Sequence, residues 1–186
     1  GVRPADERER DKDVWLDPLT RGSELHAIYA ALLRRTLAEH RRPNNADGAW
    51  LLALAQARLK QLHEEMPAAT LEILERESQD CLADVELFLD AEIEETQSTP
   101  VGLEVSFGRP VNSDEEADED PLARAEPVEI ALGAGLTLRL AGRMDRIDKV
   151  GPATFEVIDY KTGGYWKDKW KGVFAGGSRL QHALYG

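Results

Sequence analysis

The chain has 186 residues, of which 42% are hydrophobic, and its formal net charge is −12. This length and apolar content suffice for one substantial core, so we expect one catalytic unit with a helical elaboration. No stretch approaches the ~20 apolar residues that cross a bilayer, and the N-terminal residues are charged rather than signal-like. These features exclude a membrane partner and predict a cytoplasmic protein.

Cysteine content and charge distribution narrow the function further. Cys81 is the only cysteine, which excludes a disulfide framework and leaves an iron–sulfur cluster unsupported by the residues present. The acidic net charge argues at first against nucleic acid, because phosphate binding depends on Lys and Arg. However, the run 113–120 has six acids and no base, whereas from Arg143 to Arg179 eight basic residues outnumber five acidic ones. We therefore expect the run to be a solvated loop and the basic region to hold the chemistry.

The first half of the chain predicts helices. Residues 1–22 are expected to form an exposed arm. From Ser23, a plausible N-cap, apolar residues recur at three- and four-residue steps as far as His40, which predicts an amphipathic helix. Helical spacing returns in two further segments, Trp50–His63 and Leu71–Glu95. We therefore expect a helical region over residues 23–98.

The second half predicts a sheet over residues 99–186. From Val101 to Phe107 apolar and polar residues alternate, which is typical of a half-buried strand. A hairpin follows, with strands at Val128–Leu132 and Leu136–Leu140, and its second strand is expected to continue to about Asp148. A turn at 150–153 then leads into a strand from Thr154 to Lys161, and Ser178–Tyr185 predicts the start of a helix. The fold class is therefore α/β, with a mixed, largely antiparallel sheet and helices.

The last predicted hairpin places two acids face to face. If its turn is centred on Pro152, Asp145 and Asp159 are equally far from the centre and lie directly opposite each other. Opposed side chains on neighbouring strands have Cβ atoms about 4.5–5.5 Å apart, where like charges destabilise a sheet unless a cation lies between them. Two converging carboxylates are hard oxygen ligands that suit Mg²⁺ or Mn²⁺.

Lys161 shares a strand face with Asp159, because side chains alternate along a strand. Its ammonium group could stabilise a pentavalent phosphate or orient a metal-activated water. Asp-x-Lys alone is a common tripeptide that usually forms a surface ion pair. Together with Asp145, however, these residues predict a site for metal-dependent phosphodiester hydrolysis.

Three motifs resemble those of a known family. Gly142-Arg143-Met144-Asp145-Arg146-Ile147-Asp148, Val157-Ile158-Asp159-Tyr160-Lys161-Thr162-Gly163 and Gln181-His182-Ala183-Leu184-Tyr185 closely resemble successive motifs of PD-(D/E)XK nucleases of the RecB/AddB type. Upstream, Arg21-Gly22-Ser23-Glu24-Leu25-His26 resembles the helix of that family whose histidine completes the metal site. The resemblance implies a restriction-endonuclease-like core.

Roles for individual residues follow from the resemblance. It implies that His26, Asp145 and Asp159 bind the metal together with the backbone carbonyl of Tyr160, and that Lys161 is the catalytic lysine. Gln181 and Tyr185, one helical turn apart, would orient the site or contact the DNA backbone. Without the resemblance, His26 on its helix would be taken for a packing or surface residue.

The resemblance also implies a function. This would be a Mg²⁺- or Mn²⁺-dependent DNA exonuclease of recombinational repair that acts on single- or double-stranded ends, with a helicase domain or subunit as partner. Many AddB-like members hold a four-cysteine iron–sulfur cluster, for which Cys81 alone does not suffice. The alternative is a nuclease-like module that grips DNA in a helicase–nuclease complex without cutting it. A carboxylate-pair glycosidase would leave Lys161 without a role.

Three further features stay open at this stage. Glu104 could reach the metal, but it also fits a solvated glutamate, and Asp148 pairs more readily with Arg146 or Lys149 than with a metal. Residues 165–171 mix aromatics with cations, which suits single-stranded DNA but also an amphipathic loop over the core. The candidate DNA-binding residues there and beyond are Tyr165, Trp166, Lys167, Lys169, Trp170, Lys171 and Arg179.

Overall fold

The computed structural model describes residues 13–108, 120–133 and 135–160. The chain divides into two units, Gly1–Glu95 and Thr96–Gly186, and the described helices lie in the first and the described strands in the second. This confirms the predicted α/β class, with helices and a largely antiparallel sheet as expected of a restriction-endonuclease-like core. None of the helices in the described ranges is long and apolar enough to span a bilayer.

The first helix starts earlier than predicted. It spans Pro18–Ala38, and its N-cap is Asp17, whose carboxylate accepts hydrogen bonds from the amides of Leu19 and Thr20. Hydrogen bonds from Thr20 also lower the pKa of Asp17. An acidic cap followed by proline is a strong start signal, because proline has no amide to leave unsatisfied in the first turn. The prediction of Ser23 as the cap was therefore wrong, since Ser23 lies inside the helix.

Three long helices make up most of the first unit from residue 13 onwards, where its description begins. They are α1 (Pro18–Ala38), α2 (Gly48–Glu65) and α3 (Leu71–Glu94), and a short 3₁₀ turn, Asn45–Asp47, precedes α2. Their apolar faces supply the buried side chains, and the rings of Tyr29 and Phe88 stack with their centroids 3.9 Å apart. Cys81 lies buried in α3, and burial raises the pKa of its thiol.

The segment before α1 is also part of this unit. Trp15 and Leu16, which the sequence assigned to an exposed arm, are buried. Their backbone amides donate to the two carboxylate oxygens of Glu77 at 3.0 and 2.8 Å. The Trp15 indole Nε1 donates to the carbonyl of Met66 at 2.7 Å. These three bonds attach the segment to the turn between α2 and α3 and to α3 itself.

The described residues of the second unit form five strands in two sheets. They are β1 (Thr99–Phe107), β2 (Val128–Gly133), β3 (Leu136–Leu140), β4 (Gly142–Lys149) and β5 (Phe155–Ile158). The order β1-β4-β5 forms an antiparallel sheet, and β2-β3 forms a separate hairpin. One isolated parallel bridge, between Phe107 and Arg124, makes the pairing mixed.

The predicted long strand from Leu136 to Asp148 is interrupted. It breaks at Ala141, because β3 pairs with β2 whereas β4 pairs with β1 and β5. Gly108 approaches this break so closely that a Cβ on it would lie 2.6 Å from the Cβ of Ala141. Its φ of +70° also favours glycine. The prediction of one continuous strand was therefore wrong.

One end of the acidic run is ordered against β1. Asp120 accepts hydrogen bonds from the amides of Leu103 and Leu122, each at 2.8 Å. The expectation that the whole run is a solvated loop is therefore wrong for its last residue. Residues 113–119 lie outside the described part of the chain.

Candidate active site

The turn between β4 and β5 sets the register of the site. Arg146 pairs with Ile158, Ile147 with Val157 and Asp148 with Glu156. These pairs share the centre at Pro152 that the sequence predicted, so the predicted register is confirmed. Strand β5 ends at Ile158, one residue before Asp159. Extended by one residue, the same register puts Asp159 opposite Asp145.

A hydrogen bond fixes Asp145 against the chain that leaves β5. Its Oδ2 accepts from the backbone amide of Tyr160 at 2.9 Å. A carboxylate that accepts a backbone amide is held in one rotamer. Both Asp145 and Asp159 are half-buried.

The other neighbour of β4 brings Glu104 to the same place. Leu103 pairs with Arg146 and Val105 pairs with Met144, so Glu104 falls opposite Asp145 in this register. Carboxylate oxygens of Glu104 and Asp145 lie within 4.8 Å of one another. The Glu104 side chain is only 11% exposed. The expectation of a solvated glutamate is therefore wrong. Glu104 and Asp145 lie opposite each other on β1 and β4, and the extended register adds Asp159 just past the end of β5. These three residues are called the acid line.

The backbone of Glu104 is unusual for a strand residue. Its φ is +55°, and in the described ranges only His40 shares a positive φ among the non-glycine residues. Such a value costs an L-residue roughly 1–3 kcal/mol and often marks a functional site. The strain points to a role for the side chain that outweighs the local cost.

The opposite face of β4 holds a buried ion pair. Arg146 donates from Nε to one oxygen of Asp148 at 2.5 Å and from Nη2 to the other at 2.7 Å. Its Nη1 also donates to the Tyr160 hydroxyl at 3.2 Å. The predicted pairing of Asp148 with Arg146 is thus confirmed, and both carboxylate oxygens of Asp148 accept from Arg146.

Arg143 is a member of this site that the sequence analysis did not single out. It lies two residues before Asp145, hence on the same strand face. Its Nε lies 2.8 Å from Oε2 of Glu104 and donates to the carbonyl oxygen of Glu104 at 3.2 Å. The Arg143 side chain is 55% exposed. Its spacing from Asp145 was the available signal, but the pairing with β1 was needed to place Glu104 beside it.

Comparison with protein-family models identifies the family of this fold and site. The model of the PD-(D/E)XK nuclease superfamily matches residues 3–186. The chain belongs to the PD-(D/E)XK nuclease superfamily. Members of this superfamily are metal-dependent nucleases, so the chain is a nuclease by family. A comparison with curated proteins gave no match.

The acid line of this nuclease fits a divalent metal. Carboxylates are the hard oxygen ligands that Mg²⁺ and Mn²⁺ prefer. Two oxygens on one Mg²⁺, each about 2.1 Å from it, lie at most about 4.2 Å apart, so the upper limit of 4.8 Å between Glu104 and Asp145 requires at most a small side-chain rotation. The cation would relieve the repulsion between opposed carboxylates.

The remaining predicted residues of the nuclease are placed as follows. His26 lies on α1 in the first unit and is half-buried, and its role as a metal ligand stays a prediction. The carbonyl of Tyr160 likewise stays a predicted ligand. Outside the described residues lie Lys161, Gln181, Tyr185 and the candidate DNA-binding residues Tyr165, Trp166, Lys167, Lys169, Trp170, Lys171 and Arg179.

Proposed function

We propose that this chain hydrolyses DNA phosphodiester bonds in the presence of Mg²⁺ or Mn²⁺. The supporting observation is the acid line in a member of a nuclease superfamily. Glu104 and Asp145 lie opposite each other on β1 and β4 with carboxylate oxygens within 4.8 Å, and Asp159 directly follows the end of β5. A bound divalent cation would supply a water of lowered pKa and charge neutralisation at the phosphate.

Side chains and one backbone carbonyl of the protein would bind the cation and the phosphate. Asp145 and Asp159, with Glu104, would hold the cation, and His26 and the carbonyl of Tyr160 would be further ligands. Lys161 would stabilise charge on the phosphate, and Gln181 and Tyr185 would orient the site or contact the DNA backbone. The half-buried position of Asp145 and its bond to the Tyr160 amide support a preorganised ligand.

We further propose a RecB/AddB-like exonuclease of recombinational repair, located in the cytoplasm and supplied with DNA by a helicase domain or subunit. The order of the three motifs, with Asp145, Asp159 and Lys161 in place, supports this narrower assignment. An exonuclease should degrade linear duplex DNA and leave a covalently closed circle of the same sequence intact. Cutting of the closed circle would instead show an endonuclease.

The test of the function removes one charge from the acid line. Asp145→Asn keeps the size of the side chain and an acceptor for the Tyr160 amide but removes a ligand charge. Changes that only support metal ligands already cost about 10–100-fold, so we expect at least about a 100-fold loss of Mn²⁺-dependent DNA digestion. Glu129→Gln, on the exposed hairpin, is the matched control and should keep the wild-type rate. An undiminished rate in the Asn variant would contradict the proposal.

Asp159→Ala and Lys161→Ala provide the second arm of this test. Each should abolish metal-dependent digestion of linear DNA while far-UV circular dichroism stays that of the wild type. Undiminished cutting by either purified variant would contradict the role given to that residue.

A non-cutting module that grips DNA is the competing function. A pure scaffold has no reason to bind Mn²⁺ through paired carboxylates, whereas here Glu104 and Asp145 stand opposite each other. Calorimetric titration with Mn²⁺ separates the two functions. We expect binding by the wild type and its loss in Asp145→Asn, and no heat of binding in either protein would favour the scaffold.

A further inference from the structure

Glu104 holds the guanidinium group of Arg143 in place through only one of its three nitrogen atoms. Both of its contacts within the described ranges run through Nε, to Oε2 of Glu104 at 2.8 Å and to the carbonyl oxygen of Glu104 at 3.2 Å. A guanidinium has five N–H donors, and for the four on Nη1 and Nη2 the described residues supply no acceptor. With 55% of the side chain exposed, an acceptor can come from solvent.

The anchoring of Arg143 matters for ligand binding. Fixing a mobile arginine side chain costs up to about 2 kcal/mol of rotamer entropy, and this cost reduces the net binding energy of any contact that the side chain makes. Here the contacts to Glu104 have already fixed the guanidinium. Its fork geometry matches phosphate oxygens, to which arginine often donates two parallel hydrogen bonds.

The positive charge of Arg143 affects the net charge that a phosphodiester would meet at the acid line. Glu104, Asp145 and Asp159 together bring a charge of −3, which one divalent cation and the proposed catalytic Lys161 would offset. A phosphodiester is itself an anion, so a site of zero net charge would not attract it electrostatically. Arg143 lies on the same strand face as Asp145 and makes the balance positive. Arg146 cannot do this, because it is buried on the other face with Asp148.

We infer that Arg143 is a phosphate-binding residue of the nuclease. It donates through Nη1 and Nη2 to a phosphate oxygen of the DNA strand bound beside the acid line, while its Nε stays with Glu104. This inference rests on the proposed function, since it takes DNA as the ligand. It adds a contact that the family motifs used in the sequence analysis do not assign.

A purely structural role for Arg143 would have the opposite effect on metal binding. If the residue only positioned Glu104, its loss would loosen a metal ligand and weaken Mn²⁺ binding. If it binds phosphate, its loss removes a positive charge next to the cation, so Mn²⁺ binding stays equal or becomes tighter. The two roles therefore predict different changes in Mn²⁺ affinity when Arg143 is removed.

The experiment compares Arg143→Ala with Arg139→Ala. Arg139 is a matched control, because it is an exposed strand arginine paired with a glutamate, Glu129, on the neighbouring strand of the hairpin. Binding of a fluorescein-labelled DNA duplex is measured by anisotropy in Ca²⁺, with a gel to verify that the DNA stays intact, over a range of salt concentrations. Mn²⁺ affinity of the DNA-free proteins is measured by calorimetry.

We expect Arg143→Ala to bind the duplex about 10-fold more weakly or worse, as for the loss of a charged hydrogen bond. The slope of log affinity against log salt should fall by about one, the value for one phosphate contact. Its Mn²⁺ affinity should equal or exceed that of the wild type. Arg139→Ala should match the wild type in all three measurements.

Two results would overturn the inference. One is a DNA affinity and salt slope for Arg143→Ala equal to those of Arg139→Ala. The other is weaker Mn²⁺ binding with an unchanged salt slope, which would make Arg143 a positioning residue for Glu104. If Arg143→Ala does not fold, Arg143→Lys decides: it should keep the salt slope but lose several-fold in DNA affinity, and wild-type affinity would refute the fork contact.

The proposed function and this inference fail in different ways. If the wild type does not digest DNA in Mn²⁺ but Arg143→Ala still lowers DNA affinity and salt slope, the hydrolytic function fails and the phosphate contact stands. If the wild type digests DNA and Arg143→Ala binds it like Arg139→Ala, only the contact fails.

Discussion

Two neighbouring strand pairings use their charged side chains in contrasting ways. In the β1-β4-β5 sheet, Arg146 and Asp148 are 3% and 0% exposed and share two hydrogen bonds. In the β2-β3 hairpin, Arg139 and Glu129 stand opposite each other at 3.3 Å, but their side chains are 67% and 62% exposed. The first pair is buried and lies within one strand, β4, whereas the second joins two strands at the surface of the hairpin.

The apolar residues follow the same contrast. Leu103 and Val105 of β1 are buried, whereas Val128, Leu132 and Leu136 of the hairpin are at least half exposed. A two-stranded hairpin alone is marginally stable in water. The comparison teaches that the acid line lies on the sheet whose register is fixed from both sides, which is what a site of defined geometry requires.

The largest effect should come from breaking the buried pair. Arg146→Met leaves Asp148 buried without a counter-charge, and we expect a loss of about 3–5 kcal/mol in the free energy of unfolding. Arg139→Met in the hairpin should cost less than about 1 kcal/mol, as for exposed ion pairs. Urea unfolding followed by circular dichroism measures both. Equal losses would remove the distinction between the two pairings.

Glycine positions test the same contrast at an intermediate scale. Gly108→Ala combines a φ of +70° with a Cβ only 2.6 Å from that of Ala141, and we expect a cost of about 3 kcal/mol from strain and overpacking. Gly133→Ala has a φ of +87°, but apart from its chain neighbours no atom of the described residues lies within 4 Å of the added Cβ, so only strain of about 1–2 kcal/mol should remain. Thermal and urea unfolding of both variants measure the difference. A Gly133 variant as unstable as the Gly108 variant would show that the hairpin is as tightly packed as the sheet.

The smallest effect should come from the exposed apolar face of the hairpin. Leu136→Thr should change the free energy of unfolding by no more than about 0.5 kcal/mol, because the side chain is 65% exposed. Val105→Ala, at a site 2% exposed, should cost about 2 kcal/mol from lost burial. The same urea titrations give both values. A loss of 2 kcal/mol for Leu136→Thr would mean that this face is covered in solution.

The β4–β5 register could be predicted because its turn is short and local. Val150 to Ala153 permit only a small set of pairings, so Asp145 and Asp159 could be set opposite each other from the sequence alone. The pairing of Arg146 with Asp148 was equally local, since i and i+2 share a strand face. Pairings between residues that are close together in the chain can therefore be predicted from the sequence.

Glu104 and Arg143 could not be placed in the same way. Their contact depends on β1 pairing with β4 across 39 residues of chain, and no pattern within either strand selects that partner. The positive φ of Glu104 adds to the difficulty, because the alternation of β1 gives no sign of it. The break at Ala141 was missed for a related reason, since alternation continues through it while the strand partner changes. The earlier start of α1 was missed because Asp17 and Pro18 precede the apolar repeat that was used to find the helix.

Tyr160 connects the two faces of β4. Its backbone amide binds Asp145 on one face, and its hydroxyl accepts a hydrogen bond from the buried Arg146 on the other. The interior of the sheet and the acid line are therefore mechanically linked through a single residue. We therefore expect a packing defect around Arg146 to disturb the orientation of Asp145, so that loss of activity in a variant does not by itself identify a catalytic residue.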